Sequence, residues 1–501
     1  MKIILCILDG IGWRKEIHGN AVKLAHTPNL DKLLADYPHA LLEASGEQVG
    51  LPRGQVGNCE VGHQNIGAGR IVYQPLQLIN QKIQDKTFFQ NDRLLNVINY
   101  VKTNESRLHL LGLVSDGGIQ SHINHLFALL DMAKDNGIEK LYLHVFLDGR
   151  DTLPQTASIY LDQLQTKLDD LGIGQIATIC GRDYAMDHNK QWDRVKLAYE
   201  AIVSGVGESF PTYQKVIEAN YQRGFSDEFV VPAIIEPQGI IQDQDGLIAF
   251  NFEPEQIRQL LASITNEQFE SFDRTIRKNI KLVTMLEGSP DVLSRKAFHL
   301  EPLYNTLGDY LSTKGIKQLR IAETARYPHV TYFFDGRTNK NLAGVEQIEL
   351  SSSNGVTDDQ LPEMSAIELT DEIIKKAEQF DFIVANYASG DIVGHTGNLQ
   401  ATIKAIETID QCLGRLYETL SKLGYKMIIT ADHGNSDYML DHDNQMITSH
   451  SKAPVPFLIT DKNLTIRNGK LGDIAPTILR IMNREIPKEM TGEVLISKKI
   501  D

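Results

Sequence analysis

Six apolar runs rich in β-branched residues each end abruptly at Asp or Gly. They cover 2–10, 107–118, 140–151, 173–183, 380–391 and 425–437. Stretches with helical periodicity occur at 121–136, 155–171 and 399–424. Alternation of strands with amphipathic helices is typical of a parallel α/β sheet. The chain is therefore predicted to be an α/β protein, although any single Asp-Gly pair is equally compatible with a simple turn.

The order of these runs along the chain predicts one domain interrupted by another. Three runs lie towards the two chain ends and three lie together in the middle. The simplest arrangement has a first α/β domain formed by 1–74 and 301–501, with a second α/β domain, 75–300, inserted into it. With 501 residues, of which 42% are hydrophobic, the chain can bury both cores.

Metal-ligand side chains recur at the predicted strand ends of the first domain. These are Asp9, Asp391, His395, Asp432, His433 and His450. Parallel strands end at one sheet edge, where three carboxylates would repel one another without a cation. Six ligands exceed what one tetrahedral ion uses, so the pattern predicts two divalent ions, which suit phosphoryl displacement. Four other histidines lack this context and are not predicted to be ligands: His63, His122, His125 and His329.

Charge and composition exclude several classes of protein. The formal net charge of −15 argues against a nucleic-acid partner, which favours a basic surface. Four scattered cysteines are too few for a disulfide scaffold and fit a reducing compartment. The apolar stretch Ile3–Leu8 is too short for a signal peptide, and no other run is long enough to span a bilayer. A cytoplasmic protein without a membrane partner is expected.

Several long, ordered motifs are distributed from one end of the chain to the other. They include "ILDGIG", "GQVGNCEVGHQNIGAGRIVYQ", "LVSDGGIQSHINHLFALL", "FLDGRDTLP", "IAETARYPHVTYFF", "PEMSA", "DIVGHTGN" and "TADHGNSD". Together these motifs resemble those of the cofactor-independent (2,3-bisphosphoglycerate-independent) phosphoglycerate mutases of the alkaline-phosphatase superfamily. The resemblance implies an alkaline-phosphatase-like metal domain interrupted by an inserted α/β transferase domain. This matches the interrupted arrangement predicted from the strand pattern.

The same resemblance implies how the ligands divide between the two ions. One ion would be held by Asp391, His395 and His450, and the other by Asp9, Asp432, His433 and the nucleophile. The family nucleophile is the serine of GNSEVGH, which in this chain is Cys59. The family implies Mn²⁺, whereas a thiolate ligand at Cys59 shifts the preference towards Zn²⁺.

Cys59 differs from the other three cysteines. Cys6, Cys180 and Cys412 lie in strand or helix patterns, where a free cysteine is usually an inert buried apolar residue. Cys59 lies in a Gly-rich segment predicted to be a loop, where a nearby divalent ion would stabilise the thiolate. A thiolate can attack phosphorus, so Cys59 is predicted to be the catalytic nucleophile.

Substrate contacts are also implied by the resemblance. Matching positions are His122, Arg150, Asp151 and Arg182, where the arginines would bind a carboxylate or phosphate and Asp151 would transfer protons to and from the glycerate hydroxyls. A strand-end salt bridge is the alternative role for the two arginines.

Four departures from the family affect these substrate contacts. Arginines of the family patterns NFRPDRAR and YAMDR are replaced by Glu253, Gln256 and His188. His188 is retained as a predicted substrate contact. The lysine of TEKY is Arg326, a predicted substrate contact with a different geometry.

These features predict a two-metal phosphoryl-transfer enzyme, with 3-phosphoglycerate/2-phosphoglycerate interconversion through Cys59 as the best named reaction. A related transferase or hydrolase that moves a phosphoryl or phosphonyl group from another donor to a glycerate-like acceptor is the first alternative. A catalytically silent metal-binding paralogue is the second. The expected partner is a small phosphorylated or phosphonylated hydroxy acid, and the resemblance implies a monomer.

Overall fold

The computed structural model describes residues 1–300, 302–352 and 360–498. Contacts divide the chain into two units. Unit 1 is formed by Met1–Gln74 together with Pro302–Asp501, and unit 2 by Pro75–Glu301.

Six of the strands lie in the six apolar runs of the sequence, and the others were not predicted. In chain order they are β1 (Lys2–Leu8), β2 (His39–Glu43), β3 (Leu108–Leu113), β4 (Leu141–Leu147), β5 (Gln175–Gly181), β6 (Glu208–Ser209), β7 (Ala233–Ile234), β8 (Gly246–Ala249), β9 (Lys281–Thr284), β10 (Arg295–Lys296), β11 (Gln318–Glu323), β12 (Val345–Leu350), β13 (Phe382–Tyr387), β14 (Tyr425–Thr430), β15 (Val455–Ile459), β16 (Leu464–Ile466), β17 (Gly469–Lys470) and β18 (Ile496–Lys498).

The helices alternate with these strands. The α-helices are α1 (Ala21–Leu24), α2 (Pro28–Asp36), α3 (Cys59–Ala68), α4 (Pro75–Gln84), α5 (Asp92–Thr103), α6 (Ile123–Asp135), α7 (Ala157–Leu171), α8 (Arg182–Ala185), α9 (Trp192–Tyr199), α10 (Tyr213–Gln222), α11 (Pro254–Thr265), α12 (Leu307–Thr313), α13 (Ala366–Lys376), α14 (Ser389–Gly394), α15 (Leu399–Lys422) and α16 (Ile474–Ile481). Glu200–Ser204 and His329–Phe333 are π-helical. Short 3₁₀ turns lie at Gly46–Val49, Thr87–Gln90, Asp227–Phe229, Pro237–Gly239, Ala377–Gln379 and Leu471–Asp473.

Unit 1 is built around a mixed sheet in the order β12-β11-β13-β1-β14-β15-β2-β17. β1 lies in its middle and pairs in parallel with β13 and β14. Ile3 to Leu8 are fully buried, which explains why the strand is apolar throughout rather than alternating. The parallel pairing brings the carboxyl ends of β1, β13 and β14 to one edge of the sheet.

Unit 2 has a second sheet in the order β10-β9-β8-β3-β4-β5-β7-β6. β3, β4 and β5 are parallel neighbours, and only the β5–β7 pair among its described ladders is antiparallel. The apolar sides of α6 and α7 pack in the core of this unit. The predicted α/β fold class is confirmed in both units. Among the described helices, none combines the length and the apolar character needed to cross a bilayer.

Glu323, at the end of β11, is a buried acid in unit 1. It is 1% exposed, and one carboxylate oxygen accepts a hydrogen bond from the backbone N–H of Ser365 at 3.1 Å. The other oxygen, Oε2, has no hydrogen-bond partner among the described residues. Burial raises the pKa of Glu323 from its ordinary 4.5 to about 7. The folded protein therefore holds this proton at a pH where the unfolded chain has released it.

We expect Glu323→Gln to remove a pH-dependent loss of stability. Because the pKa is raised on folding, the free energy of unfolding of the wild type falls as the pH rises from about 4.5 to about 7. Relative to the variant, the free energy of unfolding of the wild type should fall by about 3 kcal/mol over this pH range and then stay constant at higher pH. Urea unfolding of both proteins at several pH values between 5 and 8 measures it. Parallel pH profiles for the two proteins would contradict the expectation.

Candidate metal centre and nucleophile

Cys59 is the first residue of α3 rather than part of the predicted loop. The Asn58 side chain caps this helix by accepting a hydrogen bond from the backbone N–H of Val61 at 2.9 Å. Gly62 allows α3 to lie against the Asp432 backbone, since a Cβ on it would come within 2.5 Å of the Asp432 carbonyl oxygen. The Cys59 side chain is therefore held at a helix N-terminus, where the helix dipole favours negative charge.

The Cys59 sulfur lies among ligand-type side chains. Its distances are 3.0 Å to His433 Nε2, 3.5 Å to Asp9 Oδ1 and 3.7 Å to Asp391 Oδ2. The residue is 8% exposed. In the protein without metal, burial is the main cause that raises the pKa of the Cys59 thiol, and the charge of Asp9 adds to it.

Asp391, His395 and His450 form a first group whose ligand atoms lie within 4.8 Å of one another. His395 Nδ1 lies 2.7 Å from the Thr448 carbonyl oxygen and His450 Nδ1 lies 2.7 Å from that of Gly57. A carbonyl only accepts, so each Nδ1 carries a hydrogen, and the two Nε2 atoms face each other 3.0 Å apart. The hydrogen bond to Asp391 raises the pKa of His395. In the neutral rings, two Nε2 lone pairs beside the Asp391 carboxylate fit a divalent cation.

Asp9, Cys59, Asp391 and His433 form a second group with the same spacing. His433 Nδ1 faces the Gly434 carbonyl oxygen at 3.2 Å, which directs Nε2 at the sulfur and Asp9. Although burial alone would lower the pKa of His433, the charges of Asp432 and Cys59 raise it, so a metal ion here would take the place of the Nε2 proton. Thiolate, carboxylate and imidazole together form a donor set suited to a divalent transition metal.

Asp432 lies at the border of this second group. Its Oδ2 is buried, has no hydrogen-bond partner among the described residues and lies 3.6 Å from His433 Nε2. Asp9, His63 and Asp432 form a third group whose ligand atoms lie within 4.8 Å of one another. His63 was not predicted as a ligand from the sequence.

Two further expectations about this centre differ from the structure. Asp391 lies within α14 and His395 at its C-terminal end, after β13 has ended at Tyr387. Both were expected directly at a strand end. One turn of helix after β13 carries the i and i+4 side chains to the same side, which places them together.

Arg326, predicted as a substrate contact, lies inside the cluster. Its Nε donates to Asp9 Oδ2 at 2.8 Å and its terminal nitrogen to Asp391 Oδ2 at 2.5 Å. Although burial alone would lower the pKa of Arg326, the charges of Asp9, Cys59 and Asp391 raise it on balance. The guanidinium therefore neutralises two carboxylates that are far apart in the sequence.

Two asparagines that the sequence did not single out also contact the carboxylates. Asn386 donates to Asp9 Oδ2 at 2.7 Å, and Asn435 donates to Asp391 Oδ1 at 2.7 Å. Asn435 stands in "TADHGNSD" two residues after His433, which was the available signal. Asn386 lies on β13 beside Ile7, so only the sheet pairing reveals it.

In unit 2, Arg182 lies in a buried ion-pair network. One guanidinium nitrogen donates to Asp148 Oδ1 at 2.8 Å and to Asp151 Oδ2 at 2.7 Å. Asp148 also accepts from the Ser115 hydroxyl at 2.6 Å and from the backbone N–H of Asp151 at 2.9 Å. The salt-bridge role considered for Arg182 is thus present, and it ties the predicted proton-transfer carboxylate to the guanidinium.

The remaining predicted substrate positions lie on the surface of unit 2 or near it. Arg150 is exposed and ion-paired with Glu228. His122 caps α6, accepting from the backbone N–H of Asn124 at 3.1 Å. Among the positions that depart from the family, His188 and Glu253 are exposed and Gln256 is half-buried. A cleft of about 660 Å³ is lined by both Arg150 and Asp151.

Two family models match the chain. "BPG-independent PGAM N-terminus" matches residues 79–289, and "Type I phosphodiesterase / nucleotide pyrophosphatase" matches residues 320–477.

Among similar proteins is the 2,3-bisphosphoglycerate-independent phosphoglycerate mutase of Clostridioides difficile, 47% identical over 99% of both chains. The protein of the same description from Staphylococcus saprophyticus is 47% identical over 98% of both chains. A crystal structure of Leishmania mexicana phosphoglycerate mutase at low cobalt concentration is similar with a TM-score of 0.63 and 26% identity, covering 99% of this chain and 98% of that one.

Proposed function

This chain belongs to the 2,3-bisphosphoglycerate-independent phosphoglycerate mutase family, and from that membership we propose that it interconverts 3-phosphoglycerate and 2-phosphoglycerate through Cys59. The observation that carries the proposal is the position of the Cys59 sulfur. It lies at a helix N-terminus, within 3.7 Å of His433, Asp9 and Asp391.

The donor set supports a pair of divalent ions. Asp391, His395 and His450 would hold one, and Asp9, Cys59, Asp432 and His433 the other. Mn²⁺ follows from the family, and the sulfur at Cys59 makes Zn²⁺ a second candidate. When bound, the ions would supply charge stabilisation to the attacking and leaving groups and favour the thiolate form of Cys59.

The residues of the chain would then act as follows. The Cys59 thiolate attacks phosphorus, so that an S–P bond forms while the bond from phosphorus to the glycerate oxygen breaks, and that oxygen takes a proton from Asp151. In the second half the other glycerate hydroxyl returns a proton to Asp151 and attacks phosphorus, and the S–P bond breaks. Arg182 binds Asp151 Oδ2, which leaves Oδ1 for the proton.

The changed arginine positions favour a second candidate function, phosphoryl or phosphonyl transfer from a different donor. Glu253 reverses the charge at a position where the family pattern has arginine, and Gln256 and His188 remove two more permanent cations. A charge-assisted hydrogen bond to a phosphate contributes about 1.5–3 kcal/mol. A substrate with fewer anionic groups, or with different positions for them, would avoid that loss.

Phosphorus NMR separates these functions. Purified protein with Mn²⁺, Zn²⁺ or Co²⁺ is mixed with 3-phosphoglycerate, and intact-mass spectrometry follows Cys59 in the same samples. Conversion to 2-phosphoglycerate supports the mutase. Phosphorylation of Cys59 without isomerisation supports the transferase. Metal binding without turnover on a panel of phospho- and phosphono-acids would leave the metal-binding paralogue instead.

We expect Asp151→Asn to lower kcat by about 10²–10⁴-fold, since an amide cannot exchange the proton. KM should change less, because the asparagine side chain keeps the shape of the aspartate and its amide oxygen can still accept a hydrogen bond from Arg182. The backbone N–H of residue 151 still donates to Asp148. Initial rates with 3-phosphoglycerate measure both constants. Asp162→Asn on α7 is the matched control, because the described partner of this carboxylate is the Tyr213 hydroxyl, outside the predicted substrate contacts. Equal rates for wild type and Asp151→Asn would exclude Asp151 as the proton carrier.

A further inference from the structure

His63 and Asn386 connect the nucleophile to a ligand carboxylate through fully buried hydrogen bonds. His63 Nδ1 lies 2.8 Å from the carbonyl oxygen of Cys59, one helical turn earlier in α3. His63 Nε2 lies 3.1 Å from Asn386 Nδ2, and the same Nδ2 lies 2.7 Å from Asp9 Oδ2. Cys59 and Asp9 are thus joined by a path of three hydrogen bonds.

The chemistry of the partners fixes every hydrogen in this path. Ionised Asp9 only accepts, so Asn386 must turn its NH₂ group to it. The second hydrogen of that NH₂ group points at His63 Nε2, which therefore accepts. His63 then carries a hydrogen on Nδ1, which lies 2.8 Å from the Cys59 carbonyl oxygen and 3.2 Å from Asp432 Oδ2. One arrangement satisfies all three contacts, so the path can hold its members in one geometry.

Asn386 also determines which Asp9 oxygen faces the metal centre. Asp9 Oδ2 accepts from Asn386 and from Arg326, at 2.7 and 2.8 Å. Asp9 Oδ1 is left for the Cys59 sulfur and His433 Nε2, each 3.5 Å away. Without Asn386 the carboxylate could rotate and change the oxygen that it presents.

The geometry points to His63 and Asn386 as positioning residues that fix the Cys59 end of α3 and the Asp9 carboxylate relative to each other. The inference deepens the proposed function and rests on it for the identity of the nucleophile. The described partners of the sulfur are Asp9, Asp391 and His433, so His63 and Asn386 act through other residues and are not catalytic residues. The His329 ring packs edge-on against the His63 ring, with centroids 5.4 Å apart. This contact restricts the His63 ring and so supports the positioning role.

Cobalt titration of chelator-stripped protein tests this inference without any turnover. A Cys59 thiolate bound to Co²⁺ gives a sulfur-to-cobalt charge-transfer absorption, which reports the sulfur directly. For Asn386→Leu we expect the cobalt affinity to fall by about 10–100-fold and this absorption to weaken. His63→Leu should behave in the same way. His63→Gln, which can still donate to one side and accept from the other, should lie closer to the wild type.

Asn65→Leu is the matched control for Asn386→Leu. Asn65 is equally buried and lies in α3, and its side chain bonds, within the described part of the chain, to the backbone of Val49, Val61 and Val72. Its loss should lower the melting temperature in chelator but leave the cobalt titration near that of the wild type. Equal titrations for Asn386→Leu and wild type, or equal losses for Asn386→Leu and Asn65→Leu, would overturn the inference.

The two proposals fail separately in these experiments. A wild type that does not isomerise phosphoglycerate but shows the expected difference between Asn386→Leu and Asn65→Leu contradicts the proposed reaction and supports the positioning role. If the wild type isomerises phosphoglycerate but Asn386→Leu and Asn65→Leu give equal cobalt titrations, the proposed reaction is supported and the positioning role is contradicted.

Discussion

Cys59→Ala is expected to lower the rate of phosphoglycerate isomerisation by at least about 10⁴-fold. Alanine removes the atom that would carry the phosphoryl group and one ligand of the second metal group. Phosphorus NMR with 3-phosphoglycerate and saturating metal measures the rate. Although Cys59 is only 8% exposed, its sulfur lies beside the polar side chains of Asp9 and His433. The substitution should therefore change the melting temperature in chelator little.

Cys59→Ser separates the chemistry of the sulfur from the geometry of the site. A hydroxyl keeps a nucleophile at the start of α3, so activity should persist, with a shift in preference from Zn²⁺ towards Mn²⁺ because oxygen is the harder ligand. Rates measured across a series of metal ions show the shift. Full activity of Cys59→Ala would exclude covalent catalysis at this position, and an unchanged metal preference in Cys59→Ser would exclude the sulfur as a ligand.

Arg326→Met is expected to destabilise the metal-free protein by about 3–5 kcal/mol. Methionine fills the space but leaves Asp9 and Asp391, both fully buried, without the guanidinium that binds them. Added divalent metal should restore most of this loss, since a cation then neutralises the same carboxylates and binds only the folded state. Urea unfolding in chelator and in saturating Mn²⁺ gives both values.

Arg326→Lys is the control for charge. Lysine keeps the cation but cannot donate to both carboxylates in the fixed geometry of guanidinium. In chelator, Arg326→Lys should therefore lower the free energy of unfolding by less than Arg326→Met does. If Arg326→Met loses the same stability with and without metal, Arg326 does not act as a counter-charge for this cluster.

Local pattern was sufficient for six strands, β1, β3, β4, β5, β13 and β14, and for the three helices α6, α7 and α15. The runs at 140–151 and 425–437 contain β4 and β14, and the predicted helix at 399–424 contains α15. Long apolar runs and 3.6-residue periodicity are strong signals because they reflect burial directly. Cys59 was predicted to lie in a loop because glycines dominate its surroundings, but the Asn58 cap starts a helix there.

Partners that come from distant parts of the chain could not be predicted in the same way. Arg182 at a strand end could bind a ligand or a carboxylate, and the choice depends on Asp148, which the parallel pairing of β4 and β5 brings beside it. Asn386 meets Asp9 because β13 pairs with β1, and Arg326 follows β11, which lies on the other side of β13. Motif spacing identifies candidate ligands, whereas their counter-charges and hydrogen-bond donors follow from tertiary packing.

The central position of β1 has a consequence for synthesis on the ribosome. Ile3 lies beside Phe382 on one side and Lys426 on the other. At roughly 5–20 residues per second, the newborn strand waits on the order of tens of seconds for these neighbours. Unit 2 emerges completely in that interval. His450 emerges later still, so a nascent chain carries the proposed nucleophile long before the last of the proposed metal ligands exists. If the proposed site is right, the chain stays inactive until translation is nearly finished.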